Sequence, residues 1–208
     1  YFEEGYPLWY LRTFVVEDFD ENGYAVYKDF DGVPGINAQD QTMTGNPIPD
    51  LTYGLTVNLA YKNFDLNVYG TGVYGNERLY ACLRGDFPQQ NNLAIFYTDR
   101  WTPENPNARF PRPDFTDTYQ TTTNLRIFDA SFFKIKQIQL GYNLPKSILQ
   151  KAWLSELRAY VSLDDWFTFT SYPGLDPETS VNTTQSLAID AGGYPISRKV
   201  VFGINVAF

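Results

Sequence analysis

The sequence predicts an all-β chain whose strands form part of a large antiparallel transmembrane β-barrel with long loops at one end. Three observations predict it. One is an unbroken two-residue alternation over Leu51–Tyr61 that resumes over Phe64–Tyr74. Another is strand length, and the last is the way long and short connections alternate along the chain.

In the first strand Leu51, Tyr53, Leu55, Val57, Leu59 and Tyr61 interleave with Thr52, Gly54, Thr56, Asn58 and Ala60. That period gives one apolar and one polar face. The next strand carries Phe64, Leu66 and Val68 on one face and Asp65 and Asn67 on the other. Folding the two about Lys62-Asn63 sets Tyr61 opposite Phe64, Leu59 opposite Leu66, Val57 opposite Val68, Asn58 opposite Asn67 and Ala60 opposite Asp65. Pattern and register then agree on both faces. Asn63 is the expected bearer of the positive φ that a tight hairpin requires. Each strand runs about eleven residues, against roughly five or six in soluble sheets. At ~3.3 Å per residue and a tilt near ~40°, that length rises about 28 Å, close to the ~25 Å apolar band of an outer-membrane barrel. Tyr53, Tyr61, Phe64 and Tyr74 stand near the ends of the apolar rows, where interfacial aromatic girdles fall.

Composition narrows the function classes. Net charge is −8 and no segment is basic, so nucleic acid is not an expected partner. No apolar run reaches the ~18 residues of a transmembrane helix, which a barrel does not need. Cys82 is the single cysteine and there is no histidine, so neither a zinc cluster nor a Ser-His-Asp or Cys-His triad can be drawn. The chain starts at Tyr1 and reads as a piece of something longer.

Taken in order, Tyr6–Val16 reads as a strand, followed by the turn Asp18-Phe19-Asp20-Glu21-Asn22-Gly23 and an extended piece at Tyr24–Lys28. A second acidic loop at Asp29–Gly32 leads to the hairpin. A helical piece is expected near Glu77–Leu83. Pro103, Pro106, Pro111 and Pro113 then exclude a central strand from a long loop that runs to about Leu125. Phe132–Leu144 returns to strand pattern, but its first half is out of phase with its second, which predicts a bulge. Pro145–Ala152 reads as a helical turn with proline near its start. Strands follow at Leu157–Thr170 and from Val200 to Phe208, separated by the loop Ser171–Ser197. The connections therefore run long, short, long, medium, long, which in an antiparallel barrel puts every long loop on the outer side. The strands are too few to close a barrel of about eight or more. Open edges in lipid would leave backbone groups unpaired, so the remaining strands are expected from chain upstream of Tyr1 or from another chain.

Several motifs carry a resemblance. They begin with Gly45-Asn46-Pro47-Ile48-Pro49 before Leu51-Thr52-Tyr53-Gly54, and Tyr61-Lys62-Asn63-Phe64-Asp65-Leu66. Asp99-Arg100-Trp101-Thr102-Pro103-Glu104-Asn105-Pro106-Asn107 and Ile138-Gln139-Leu140-Gly141-Tyr142-Asn143-Leu144-Pro145 follow. Then come Tyr160-Val161-Ser162, Phe167-Thr168-Phe169-Thr170, Tyr172-Pro173-Gly174, Asp176-Pro177-Glu178, Tyr194-Pro195-Ile196-Ser197-Arg198, Phe202-Gly203-Ile204-Asn205 and a final Phe208. In this order they resemble the SusC/RagA family of TonB-dependent outer-membrane transporters over nearly the whole chain. The resemblance implies that residues 1–208 are the C-terminal part of a plugged barrel of about 22 strands. It further implies the bacterial outer membrane, a SusD-like surface lipoprotein as lid, and TonB acting through an N-terminal region and plug absent from this chain. The implied cargo is a glycan or an oligopeptide. A soluble β-rich carbohydrate-binding module and a porin-like barrel without a plug are the alternatives.

Within that reading Leu55, Val57, Leu59, Leu66, Val68, Leu140, Val161, Phe202, Ile204 and Val206 are expected to face outer-membrane lipid, with Phe208 as the assembly signal. Arg100, Trp101, Tyr119, Trp166 and Tyr172 are the loop candidates for contact with substrate or lid. Each has a plainer reading beside it. Trp101 can anchor its own loop, Arg100 can pair with Asp99, and Trp166 can sit in the interfacial girdle above the acidic pair Asp164-Asp165. The carboxylates Asp114 and Asp117, like Asp164 and Asp165, imply no shared pocket, so no catalysis is expected. Asp18, Asp20, Asn22, Gly23 and Asp29 match a calcium-loop spacing without flanking helices. In the following loop Val33 and Pro34 replace an oxygen ligand and the turn glycine. No metal or cofactor is expected, and calcium in Asp18–Asp31 is the alternative to two polar turns.

Overall fold

The computed structural model describes residues 3–82, 94–114, 116–150, 153–179 and 189–208. Their strands are β1 (Leu11–Phe14), β2 (Val16–Phe19), β3 (Ala25–Tyr27), β4 (Gln41–Gly45), β5 (Leu51–Tyr61), β6 (Phe64–Tyr74), β7 (Glu77–Tyr80), β8 (Ile127–Asp129), β9 (Phe132–Asn143), β10 (Glu156–Thr170), β11 (Ile189–Asp190) and β12 (Lys199–Ala207). Two helical turns, α1 (Ala94–Thr98) and α2 (Lys146–Leu149), accompany them. The chain divides into a wall (Asp50–Tyr74, Ser131–Ser171, Pro195–Phe208) and a loop unit (Tyr1–Pro49, Gly75–Ala130, Tyr172–Tyr194).

The wall is one five-stranded antiparallel sheet in the order β12-β10-β9-β6-β5, a meander in which each strand pairs with its neighbour in the series. The hairpin register is the one the alternation predicts, with Tyr61 on Phe64, Leu59 on Leu66, Val57 on Val68, Asn58 on Asn67 and Ala60 on Asp65. Its turn differs in one respect: the positive φ falls on Lys62, at 56°, and Asn63 is not the left-handed residue. At that end of the sheet lie the two-residue turn and the β9–β10 connection, where Arg158 pairs with Asn143 and Glu156 with Ala207. At the other end Leu51 pairs with Tyr74, and Phe132 pairs with both Val73 and Thr170. The long connections 75–131 and 171–198 both leave from that second end. The parity read from loop lengths is therefore built into the register.

The out-of-phase start of β9 is a bulge. Tyr69 pairs with Gln137 but Gly70 with Ile135, so β9 carries one residue, Lys136, beyond what β6 supplies. Asp164 also pairs with Gln137 while Phe167 pairs with Ile135, so β10 carries one more again. The insertions return Phe133 and Ile135, and Phe167 and Phe169, to the same face as Ile138, Leu140, Val161 and Leu163. Asp165 takes a positive φ of 58° within the bulge, and its Oδ1 meets Lys136 Nζ at 2.9 Å.

Elsewhere the chain departs from expectation. Tyr6–Val16 is not one strand: only Leu11–Phe14 and Val16–Phe19 are extended, and β1 pairs with β4 rather than joining the wall. The wall thus has one strand fewer than the sequence pattern indicates. The helix expected near Glu77–Leu83 is the strand β7, antiparallel to β8 and parallel to β11. Tertiary pairing overrides local propensity there, because Leu79 and Tyr80 are buried by it. Leu83 lies outside the described residues, as does Ala152 of the expected turn at Pro145–Ala152, whose observed helix is α2. Among its described residues the loop unit has two small cores: Tyr80, Phe110, Phe128, Ala130 and Tyr172 form one, and Leu11, Leu79 and Ile127 the other. Edge-to-face aromatic pairs such as Tyr80–Phe128 and Tyr80–Tyr172 add about 0.5–1.5 kcal/mol each beyond their burial.

Because the bulge sets the phase of half of β9, deleting Lys136 should turn Phe133 and Ile135 to the polar face and sharply lower the yield of protease-resistant protein. Lys136→Ala, which keeps the inserted residue while losing the contact with Asp165, should leave most of it. Equal yields from the two variants would show that the bulge does not fix the register.

Candidate functional site

Two surfaces carry the chemistry of this chain. The first is the apolar face of the wall. Paired rows run across it: Tyr61, Phe64, Tyr142, Ala159 and Ile204; then Leu59, Leu66, Leu140, Val161 and Phe202; then Val57, Val68, Ile138, Leu163 and Val200. Beyond the bulge come Leu55, Gly70, Ile135 and Phe167, then Tyr53, Gly72, Phe133 and Phe169. Aromatic rings bound the face at both ends, and the rows between them are mainly aliphatic, with Phe202 and Phe167 the aromatic residues among them. Tyr53 and Phe133 lie over Gly72 and Gly70, where a Cβ would come within 2.5 and 2.6 Å of their rings. Among the described residues the face has no second layer: Leu59 is 59% exposed, Phe202 79% and Ile204 69%. Leu55, Leu140 and Val206 are likewise exposed, and Val57, Leu66, Val68 and Val161 are half-buried by their neighbours.

The opposite face is polar and tied together. Arg158 reaches across Gly141 of β9 to Asp65, with Nε on Oδ1 at 3.1 Å and a terminal nitrogen on Oδ2 at 2.5 Å. The same guanidinium donates to Gln139 Oε1 at 3.0 Å, and Asn143 Nδ2 donates to Asp65 Oδ1 at 3.1 Å. Gly141 is required here, since a Cβ would stand 2.4 Å from the guanidinium and 2.6 Å from the carboxylate. Asn67 Nδ2 donates to Asn58 Oδ1, and Ser162 Oγ to Asp164 Oδ1. Three strands are thus cross-braced by charge-assisted bonds. Both members of the Asp164-Asp165 pair have partners, Ser162 for one and Lys136 for the other.

The second surface belongs to the loop unit. An open depression of about 640 Å³ is lined by Glu21, Asn22, Arg100, Trp101, Thr102, Pro103 and Arg112. Trp101 is fixed at both ends: its backbone N–H donates to the Phe110 carbonyl at 2.8 Å, and its ring lies against Gly23. A Cβ on residue 23 would meet the indole at 2.2 Å, and φ there is +84°, so glycine is needed on two counts. Arg100 makes no pair with Asp99. Its guanidinium lies 3.7 Å from the Tyr97 ring centroid and donates to the Tyr97 carbonyl at 2.9 Å. Arg112 stands over the Tyr24 ring. The fold therefore brings Arg100 and Trp101 to one site with Arg112, Glu21 and Asn22, which no spacing in the sequence connects.

The other candidate loop residues lie elsewhere. Tyr172 is 5% exposed, with its hydroxyl donating to Asp190 Oδ2 at 2.6 Å, so it is a core anchor of the loop unit and not a surface contact. Tyr119 packs against Phe14 with the rings tilted by 52° and centroids 4.5 Å apart, and its hydroxyl donates to the Ile36 carbonyl. Trp166 sits in the β10 bulge and donates to the Lys199 carbonyl at 2.8 Å, beside Arg198. Asp114 and Asp117 serve local turns: Asp114 accepts from Thr116, and Asp117 from the Tyr119 N–H and the Tyr27 hydroxyl.

The acidic segment is organised differently from the spacing Asp18–Asp29. Asp20 caps its own turn by accepting from the N–H groups of Asn22 and Tyr24. Asp29 and Asp31 meet Asp40 instead, with a carboxylate oxygen of each within 4.8 Å of the others. Asp40, fully buried, accepts from the N–H groups of Asn37, Phe30 and Asp31, while Asp29 and Asp31 accept from Gly32, Val33 and Asn37. Protein donors thus balance all three carboxylates. The signal for Asp40 in the sequence is Asn37 three residues before it, which forms a capping box with it.

A one-layer antiparallel meander, apolar and uncovered on one face and hydrogen-bonded on the other, is a segment of β-barrel wall. No protein-family profile matches the chain. Curated relatives do. TonB-dependent receptor P3 of Formosa agariphila is 35% identical over 198 residues, spanning 92% of this chain and 19% of the receptor. TonB-dependent receptor P26 of the same organism is 30% identical, over 89% of this chain and 20% of its own. TonB-dependent receptor SusC of Bacteroides thetaiotaomicron is 25% identical, over 91% and 18%. Among solved structures, the RagAB peptide transporter superposes with a TM-score of 0.77 at 22% identity, over all of this chain and 23% of the matched one. The RagAB peptide importer in its open-open state gives 0.74 at 23% identity, with the same coverage. The chain is accordingly related, over nearly its whole length, to the SusC-like TonB-dependent receptors. It spans about a fifth of the length of the curated relatives it matches.

Backbone donors, first that of Asn37 and then that of Phe30, hold the Asp40 carboxyl below the usual carboxylate range against the opposing effect of burial. A depressed folded-state value contributes stability that is present above the unfolded value near ~4 and lost as pH falls through the folded one. Protease protection of loop 29–40 should therefore decline below about pH 4, and Asp40→Asn should remove that acid step while weakening the loop at neutral pH. An unchanged acid step in Asp40→Asn would assign it to other groups.

Proposed function

We propose that this chain supplies the five strands of its wall to the outer-membrane barrel of a TonB-dependent importer, with the apolar rows against lipid and the polar face toward the lumen. The observation that carries the proposal is the uncovered apolar face bounded by aromatic rows. From Tyr61 to Tyr53 the strand rises about 20 Å at ~3.3 Å per residue and a tilt near ~40°, comparable to an outer-membrane apolar band of ~25 Å. The Val57–Val200 row falls midway. The open edges of β5 and β12 would be closed by strands outside this chain, as unpaired backbone in hydrocarbon requires.

The relatives are receptors and transporters, which supports import rather than catalysis, and the proposal assigns no cofactor. The long connections would lie on the extracellular side, where a SusD-like lipoprotein would cover the mouth. The Trp101 depression, with its indole and two guanidinium groups, would meet the incoming glycan or oligopeptide or that lid. TonB would act through parts of the receptor outside these residues.

Arginine substitutions in the full-length receptor test the facing. Val57→Arg, at mid-depth, should cost ~2–4 kcal/mol and strongly reduce heat-modifiable, assembled receptor in the outer membrane. Tyr61→Arg, at the rim, should cost ~0–1 kcal/mol, and Asn58→Arg, facing the lumen, should also be mild. Similar losses from all three, or the largest from Asn58→Arg, would refute the orientation.

A further inference from the structure

The β9–β10 connection does more than turn the chain. At two residues the β5–β6 turn is as short as a hairpin allows, whereas the β9–β10 connection at the same end spends residues 144–155. Part of this stretch is held down: Leu149 is buried, its N–H donates to the Pro145 carbonyl, and the Leu154 N–H donates to the Leu149 carbonyl. The rest is turned outward. Ile148 is half exposed and Trp153 is 90% exposed. Trp153 also has a φ of +59°, a left-handed conformation that a bulky side chain rarely adopts. The described residues of this turn are tied by backbone bonds yet leave an indole and an isoleucine uncovered by the rest of the chain, free to meet something outside it.

Position and charge say what that is. The connection starts beside the aromatic row Tyr61–Phe64–Tyr142, since the Asn143 N–H donates to the Asn63 carbonyl next to the hairpin turn. Phe64 and Tyr142 are 4.7 Å apart, and Lys62 Nζ stands 5.2 Å over the Tyr61 ring. Lys146 lies in α2, and no acidic residue occurs between Asn143 and Glu156, in a chain whose net charge is −8. Exposed Trp and Tyr with lysines directly beyond an apolar band are the groups that settle at a headgroup layer, and basic residues there favour anionic lipid.

We infer that α2 and Trp153 form a foot on the short-turn rim of the wall, seated in the glycerophospholipid headgroups of the adjacent leaflet with Ile148 and Trp153 as anchors and Lys62 and Lys146 selecting anionic lipid. The inference rests on the barrel reading above. It assigns to this connection a lipid-binding role separate from the substrate path.

The test uses the cysteine-free full-length receptor in nanodiscs, with a bimane probe on a single cysteine placed by Trp153→Cys, Ile148→Cys or Val57→Cys. Brominated phosphatidylglycerol and aqueous iodide serve as the two quenchers. Probes at 148 and 153 should be quenched by the brominated lipid and shielded from iodide. Lys62→Glu and Lys146→Glu should each lower the preference for phosphatidylglycerol over phosphatidylethanolamine by about fivefold. Quenching at 57 by lipid but at 148 and 153 by iodide would overturn the foot and leave the barrel intact. Quenching at 57 by iodide alone would overturn the barrel reading itself. An unchanged lipid preference in both lysine variants would overturn the selection of anionic lipid.

Discussion

A sheet one layer thick needs a second medium for its apolar face. In a soluble sandwich that medium is another sheet about 10 Å away, and in a barrel wall it is hydrocarbon. Here five strands align aliphatic rows between aromatic borders, and the wall offers no partner of its own to cover Leu55, Leu59, Phe202 or Ile204. Other features of the wall serve that constraint. Gly70 and Gly72 let Phe133 and Tyr53 lie flat along the border, and the paired insertions at Lys136 and Asp165 keep the aromatic half of β9 and β10 in phase with the aliphatic half.

The polar face answers the complementary problem. Side chains there cannot rely on a hydrophobic core to hold their positions, so Asp65, Gln139, Asn143 and Arg158 hold one another across three strands, with Gly141 cleared to let them meet. The ion pair is multiply hydrogen-bonded, which distinguishes it from an exposed surface pair worth little. Long excursions leave only from the end opposite the hairpin turn. The loop unit then builds its own small cores, one aromatic and one aliphatic, which is how long connections can carry a defined surface such as the Trp101 depression.

Much of the wall was legible because its signals are local. Alternation over Leu51–Tyr74 fixed the hairpin register residue by residue, and the phase slip at Phe132–Lys136 located the bulge. What escaped was set at a distance. Glu77–Tyr80 looked helical until β8 and β11 claimed its backbone, and Tyr6–Val16 broke because Leu11–Phe14 pairs with Gln41–Gly45 far along the chain. For the candidate surface, Arg100 and Trp101 could be named from their loop, but Arg112, Glu21 and Asn22 join them through the Gly23–Trp101 contact and through backbone bonds such as that from the Arg112 N–H to the Gly23 carbonyl. Tyr172 illustrates the converse: a tyrosine in a Pro-Gly loop reads as surface, but it packs into the core with Tyr80, Phe110 and Phe128, and Asp190 accepts its hydroxyl there.

The central claim is that the apolar face of the wall meets lipid. Nitroxide labels placed at each position from Leu51 to Tyr61 in the full-length receptor in bilayers, read for oxygen and for nickel-chelate accessibility, test it most directly. Oxygen accessibility should peak at Leu55, Val57 and Leu59 and alternate with Thr56 and Asn58, with the chelate excluded at the peaks. Chelate accessibility at Leu55, Val57 and Leu59 equal to that at Thr56 and Asn58 would contradict the account.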